Sequence, residues 1–190
     1  ARAEWIKFLG VFVEEFQKSA RIFERIKTEY QKTVKKIRQK KTTQSDSPVV
    51  LMGSIKGGAW VAPSANSDLA SILEDAGGRY VFQQEESDGP IRVAVEKVFA
   101  LKEDVDFWFP MTNHKSRKSL LASHHLHRKL PFLSDAQIYN NTRKINDKGA
   151  NDYWETAIVR PDQLIRELSS ILWDDRKEKR WFKELVMEEK

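Results

Sequence analysis

From Val49 onward, short apolar runs of strand type alternate with stretches of helical periodicity, and this alternation constrains the fold more than any other feature. Val49-Val50-Leu51-Met52 reads as a buried strand that ends in Gly53-Ser54, with a Gly57-Gly58 loop beyond it. Asn66 or Ser67 can cap a helix whose inner face is Leu69, Ile72, Leu73 and Ala76, and Gly77-Gly78 stops it. Tyr80-Val81-Phe82 reads as a second strand, Val95, Val98 and Phe99 mark a helix, and residues 105–109 form a third strand closed by Pro110. Leu120 and Leu121 belong to the next helix and residues 137–139 to a fourth strand. Pro161 suits a first helical position and opens a helix with Leu164, Ile165, Leu168 and Ile171 inward. Strand and helix in turn predict an α/β domain, a Rossmann-like three-layer lobe around a mainly parallel central sheet.

Residues 3–38 carry one helical signal, with Trp5, Phe8, Phe12, Phe16, Phe23 and Ile26 among the apolar residues at three- and four-residue steps. An unbroken helix of that length would run to about 50 Å, wider than a small domain, and such a helix braces two bodies. Its stripe drifts at 3.6 residues instead of holding a heptad, which predicts docking on the rest of the fold over a coiled coil. The turn-rich polar stretch at residues 40–48 reads as a linker. The expected organisation is a long N-terminal helix over residues 1–40 and an α/β lobe over residues 41–190. Ala1 falls where helical periodicity is already running, so the chain is expected to be a cut fragment.

The chain has no cysteine, which excludes disulfides and thiol catalysis. It has no apolar run of the ~18 residues a membrane span needs. The net charge of +5 is uneven, with Lys32, Lys35, Lys36, Arg38, Lys40 and Lys41 crowded together and more cations from Arg176 to Arg180. A basic helix end suits the macrodipole and reads as a solvated face. No nucleic-acid module accompanies it, so no nucleic acid is expected as a partner. An alternative reading is a stand-alone interaction module whose basic helix binds an acidic partner.

In open parallel sheets, ligands meet the loops beyond the carboxyl ends of the strands. Here these are residues 53–64 with Trp60, residues 110–114, and residues 140–154 with Arg143. The last of them holds Gly149-Ala150-Asn151-Asp152-Tyr153-Trp154-Glu155, which reads as a loop at the mouth of the Pro161 helix. Trp60, Tyr153 and Trp154 are candidates to stack on a flat ligand. Arg143 is a candidate to hold an anionic group, with Asn151 and Asp152 beside it. Asp152 and Glu155 are read as a turn cap and a local partner of Arg160, not as a catalytic carboxylate pair. His124 and His127 share a face at i, i+3, yet no further ligand completes a zinc set, so no metal site is expected. Gly53-Ser54-Ile55-Lys56-Gly57-Gly58 lacks the order of a phosphate loop. No nucleophile elbow of the Gly-x-Ser-x-Gly kind is present, and no enzyme is expected.

Several stretches carry a family resemblance: Ala3-Glu4-Trp5-Ile6-Lys7-Phe8-Leu9, Trp60-Val61-Ala62-Pro63, Glu74-Asp75-Ala76-Gly77-Gly78, Glu96-Lys97-Val98 running to Asp106-Phe107-Trp108, Tyr139-Asn140-Asn141, and the Asn-Asp-Tyr-Trp-Glu to Arg-Pro-Asp segment. In this order, over almost the whole chain, they resemble the C-terminal lobe and inter-lobe helix of class III periplasmic substrate-binding proteins, which implies that residues 1–40 are the inter-lobe helix, residues 41–190 the C-terminal lobe, and the N-terminal lobe is absent from this chain. These serve ABC importers of ferric siderophores, haem and cobalamin. The resemblance implies a non-enzymatic, extracytoplasmic or periplasmic receptor, lipid-anchored through the missing N-terminus, that holds a small-molecule metal complex between two lobes with no resident cofactor. It implies docking on an ABC permease dimer through a glutamate, which by position is Glu96, although Arg92 and Ala94 depart from the usual pattern before it.

Overall fold

The computed structural model describes residues 2–40, 47–101, 104–173 and 179–186. Lys41, Arg176 and most of the predicted linker lie outside the described residues.

The helical signal of residues 3–38 is not one rod. α1 (Trp5–Phe12) and α2 (Phe16–Lys40) are separate helices. The chain turns between them through Glu14, whose φ of 56° lies in the left-handed region. Gly10 makes the turn possible: a Cβ there would lie 2.1 Å from Ser19 Oγ, so only glycine lets α1 fold back on α2. Periodicity does not report such a reversal, because the apolar spacing runs through it unchanged. α2 buries Ile26 and Ile37, with Tyr30 and Val34 packed on the core. α1 leaves Trp5, Phe8, Leu9 and Phe12 more than half exposed.

The central sheet has the order β4-β1-β6-β7-β8. β1 (Val49–Met52) lies between β4 (Arg79–Tyr80) and β6 (Phe107–Phe109), and β7 (Gln137–Asn140) follows, all parallel. β8 (Lys183–Glu184) closes the edge antiparallel to β7. Leu51 faces Trp108 in register, and Trp108 faces Ile138. All four residues of β1 and all three of β6 are buried, as expected for strands covered on both faces. α3 (Asp68–Asp75), capped by the Ser67 hydroxyl accepting from the Ala70 N–H, and α7 (Pro161–Leu172) pack together, and α2 lies against α7. α4 (Val95–Phe99) and α5 (Arg117–Ala122) are short.

A second sheet is new relative to the sequence reading. β2 (Ser54–Lys56), β3 (Ala59–Ala62) and β5 (Ile91–Val93) form an antiparallel trio. Gly57 and Gly58, both with positive φ, make the two-residue turn between β2 and β3. What reads as a loop after β1 is therefore a hairpin, and Trp60 belongs to its second strand.

Candidate functional site

The carboxyl ends of β1, β6 and β7 meet along one edge of the sheet, and each is built differently. At β1, Gly53 has φ 98° and its amide donates to Phe109 O. The hairpin that follows turns its Trp60 inward. The Trp60 indole donates to Met52 O at 3.0 Å, packs against Trp108 and His127, and has no exposed surface. Trp60, expected to meet ligand, has its ring walled in by the core.

His127 is buried in the same cluster. The Ile55 amide donates to its Nε2, which places its hydrogen on Nδ1, within 3.2 Å of Leu120 O. Burial pushes its pKa below the ordinary value, aided by the neighbouring His124 and His114, with the Leu120 carbonyl opposing. His127 thus pins β2 to the end of α5. Among the described residues no group of three or more His, Asp or Glu is arranged to hold a metal ion.

β6 ends in Pro110 and Met111, whose φ of 53° turns the chain sharply. The buried Asn140 side chain, at the end of β7, ties this loop down: its Nδ2 donates to Thr112 O and His114 O, and its Oδ1 accepts from the Thr112 amide. One amide therefore joins the loops of two adjacent strands.

Beyond Asn140 the chain passes through buried Asn141 and Thr142 to the exposed Arg143. Residues 144–152 form a tight excursion closed by the Asp152 amide donating to Lys144 O and by a bridge between Ile145 and Asn151. Asn151 anchors it, donating from Nδ2 to Asn141 O at 2.8 Å and accepting from the Tyr153 amide. Asn151 is therefore the N-cap of a short helix, α6 (Asp152–Thr156), where a loop was expected. Asn151 is 6% exposed and its amide is used on the protein.

Asp152 is held from below. Trp181 Nε1 donates to Asp152 Oδ2 and to Thr156 Oγ1, both at 3.0 Å. Tyr153 is 3% exposed and packs on Phe182, and burial raises its phenol pKa. Asp152, Tyr153 and Asn151 thus form the seat of the C-terminal segment. Arg160, expected to pair with Glu155, pairs instead with Asp162 at 2.8 Å. The carboxylate of Glu167 on α7 clamps the same segment from the other side, accepting from the Trp181 and Phe182 amides. Burial raises its pKa against the opposing pull of these amides and of Arg143. Sequence reasoning missed Trp181 and Glu167 because their partners lie 14 to 29 residues away.

Of the six candidate contacts, Arg143 and Trp154 remain open to solvent, Trp154 at 52%. Trp60 and the Tyr153-Trp154 pair do not converge on a common rim. Glu96 lies elsewhere, exposed in the first turn of α4, behind Ala94 as an N-cap without a side-chain bond. It borders a concavity of about 420 Å³ lined also by Val95, Phe99, Ala100 and Leu126. Among the described residues its carboxylate joins no salt bridge.

The profile of the family described as "Periplasmic binding protein" matches residues 1–143 of this chain. An uncharacterized lipoprotein of Methanocaldococcus jannaschii is 20% identical over 172 residues, which is 90% of this chain and 38% of the lipoprotein. Among solved structures, an ABC transporter substrate-binding protein from Listeria monocytogenes superposes with a TM-score of 0.62 at 12% identity, covering 92% of this chain and 64% of that one. The periplasmic heme-binding protein RhuT from Roseiflexus sp. RS-1, in apo form, gives 0.62 at 16% identity, with coverages of 90% and 62%. The chain thus spans less than two thirds of each of these proteins, and at these identities the likeness is one of fold.

Proposed function

Because the chain belongs to the periplasmic binding protein family, we propose that it works as the extracytoplasmic solute-binding component of an ABC transporter. In this reading it captures an iron complex such as a ferric siderophore, or haem or cobalamin, between two lobes and passes it to a permease dimer. It acts by binding and not by catalysis. The observation that carries the reading is the family match over residues 1–143 on a mainly parallel sheet of matching fold.

Three further points support it. The chain beyond β7 presents Arg143 and, on α6, Trp154 to solvent, where a ligand resting on this lobe would meet them. Asn151, Asp152 and Tyr153 contribute by holding that rim rigid, which preserves binding geometry. Glu96 offers an exposed carboxylate that joins no salt bridge among the described residues, fit for the cationic rim of a permease. A lipid anchor outside this chain belongs to the same proposal, and the relative from M. jannaschii is itself named a lipoprotein. Among the described residues, no helix is long and apolar enough to cross a membrane.

The test is an ultraviolet-visible titration with ferric siderophores, haemin and cobalamin, whose absorption bands shift on burial. A saturable shift with one of them is expected. Flat spectra with all three would reject the receptor reading.

A further inference from the structure

We infer that the ligand this chain takes is anionic, a ferric chelate bearing several ionised carboxylates, held over the loops at the ends of β6 and β7. The inference rests on the receptor reading above and narrows it to a ligand class.

The two loops form one surface, since the Asn140 amide bonds to Thr112 and His114 while its own strand runs on into Arg143. Along these loops Lys115, Arg143, Lys144 and Lys148 are all exposed, as is Lys118 in the first turn of α5. Asp147 is the one acid in residues 110–118 and 141–151. Among the described residues none of the five cations joins a salt bridge.

The lysines of α2 are mixed: Lys35 and Lys36 join no salt bridge among the described residues, but others do. Lys18, Lys27 and Lys32 each have a glutamate three residues earlier within salt-bridge distance. α2 is thus partly self-neutralised at Lys18, Lys27 and Lys32, whereas among the described residues the strand-end cations form no such pair, and Arg143 acts on the buried Glu167 carboxylate without a salt bridge.

Unpaired cations on adjoining loops raise the local concentration of anions and repel cationic complexes. The half-exposed Trp154 ring, on the helix that follows the second loop, supplies an exposed apolar face. A carboxylate-rich chelate satisfies both the fork of Arg143 and the lysine ammoniums. A neutral or cationic chelate leaves them unpaired.

The experiment titrates the protein with ferric citrate and, separately, with the cationic ferric complex of desferrioxamine B, following tryptophan fluorescence at 50 and 500 mM salt. Ferric citrate is expected to bind and to weaken at high salt. Arg143→Gln/Lys144→Gln/Lys148→Gln should weaken it about tenfold, the sum of three exposed charge pairs. Lys115→Gln/Lys118→Gln should act in the same direction. Lys35→Gln/Lys36→Gln, on α2, should leave it unchanged. Equal or tighter binding of the cationic complex overturns the charge assignment while leaving the receptor reading in place. Binding of neither, together with flat spectra for haemin and cobalamin, overturns both.

Discussion

Trp181 Nε1 donates to Asp152 Oδ2 at 3.0 Å, across 29 residues of sequence. This bond seats the C-terminal segment beneath the most conspicuous motif in the chain. The Asn151-Asp152-Tyr153 triplet thereby becomes a socket for Trp181 and Phe182, and only its neighbour Trp154 is left facing solvent.

Trp181→Phe keeps the ring in place but removes the indole N–H, leaving Asp152 and Thr156 without their buried donor. The expected cost is about 2 kcal/mol, the usual range for a bond to a charged group. Urea unfolding checks it. A midpoint unchanged from the parent would mean that this bond does not hold the segment.

Trp60 and Trp154 should separate stability from binding. Trp60→Phe strips the donor from Met52 O and underfills the core, at a cost of roughly 2–3 kcal/mol. Trp154→Ala lies on the surface and should change stability by no more than about 0.5 kcal/mol, while weakening ligand binding. Paired denaturation and titration would read both, and the reverse pattern would restore Trp60 as a ligand contact.

His127 makes stability depend on pH in a defined direction. Its folded pKa lies below the unfolded value of 6.5, chiefly through burial, so the unfolded chain binds the proton more readily. Its contribution is complete above pH ~6.5 and is lost as the pH falls through the folded pKa. Protonation also turns Nε2 from an acceptor into a donor facing the Ile55 N–H. His127→Gln should flatten the loss of stability between pH 7.5 and 5. An unaltered pH profile would assign that loss to other groups.

Glu96→Ala should leave ligand affinity unchanged and weaken transport by the coupled permease. The residue is exposed and joins no salt bridge among the described residues, so the protein's own stability should shift by no more than about 0.5 kcal/mol. Normal uptake in a reconstituted transporter would remove Glu96 from the docking surface.

Much of the architecture was legible because it follows from local rules. Val49 to Met52 is apolar on both faces, as a covered parallel strand must be. Ser67 and Pro161 mark helix starts by chemistry that acts within four residues. The glycine pair at 57–58 also carried a hairpin signal, but its short flanking strands concealed a second sheet. β8 was illegible: two exposed polar residues, Lys183 and Glu184, pair with β7 only because Glu167, Trp181 and Asp152 bring them there.

The sequence by itself determined the α/β class, the four parallel strands of the central sheet, and the family, since periodicity, capping and residue order are local properties written along the chain. Only the tertiary structure decided which conspicuous residues are accessible. It folded α1 back on α2 through Gly10, turned Trp60 and Tyr153 inward, and left Arg143 and Trp154 outside. Burial depends on what packs against a side chain from distant positions, and a residue's type and neighbours in sequence do not encode that.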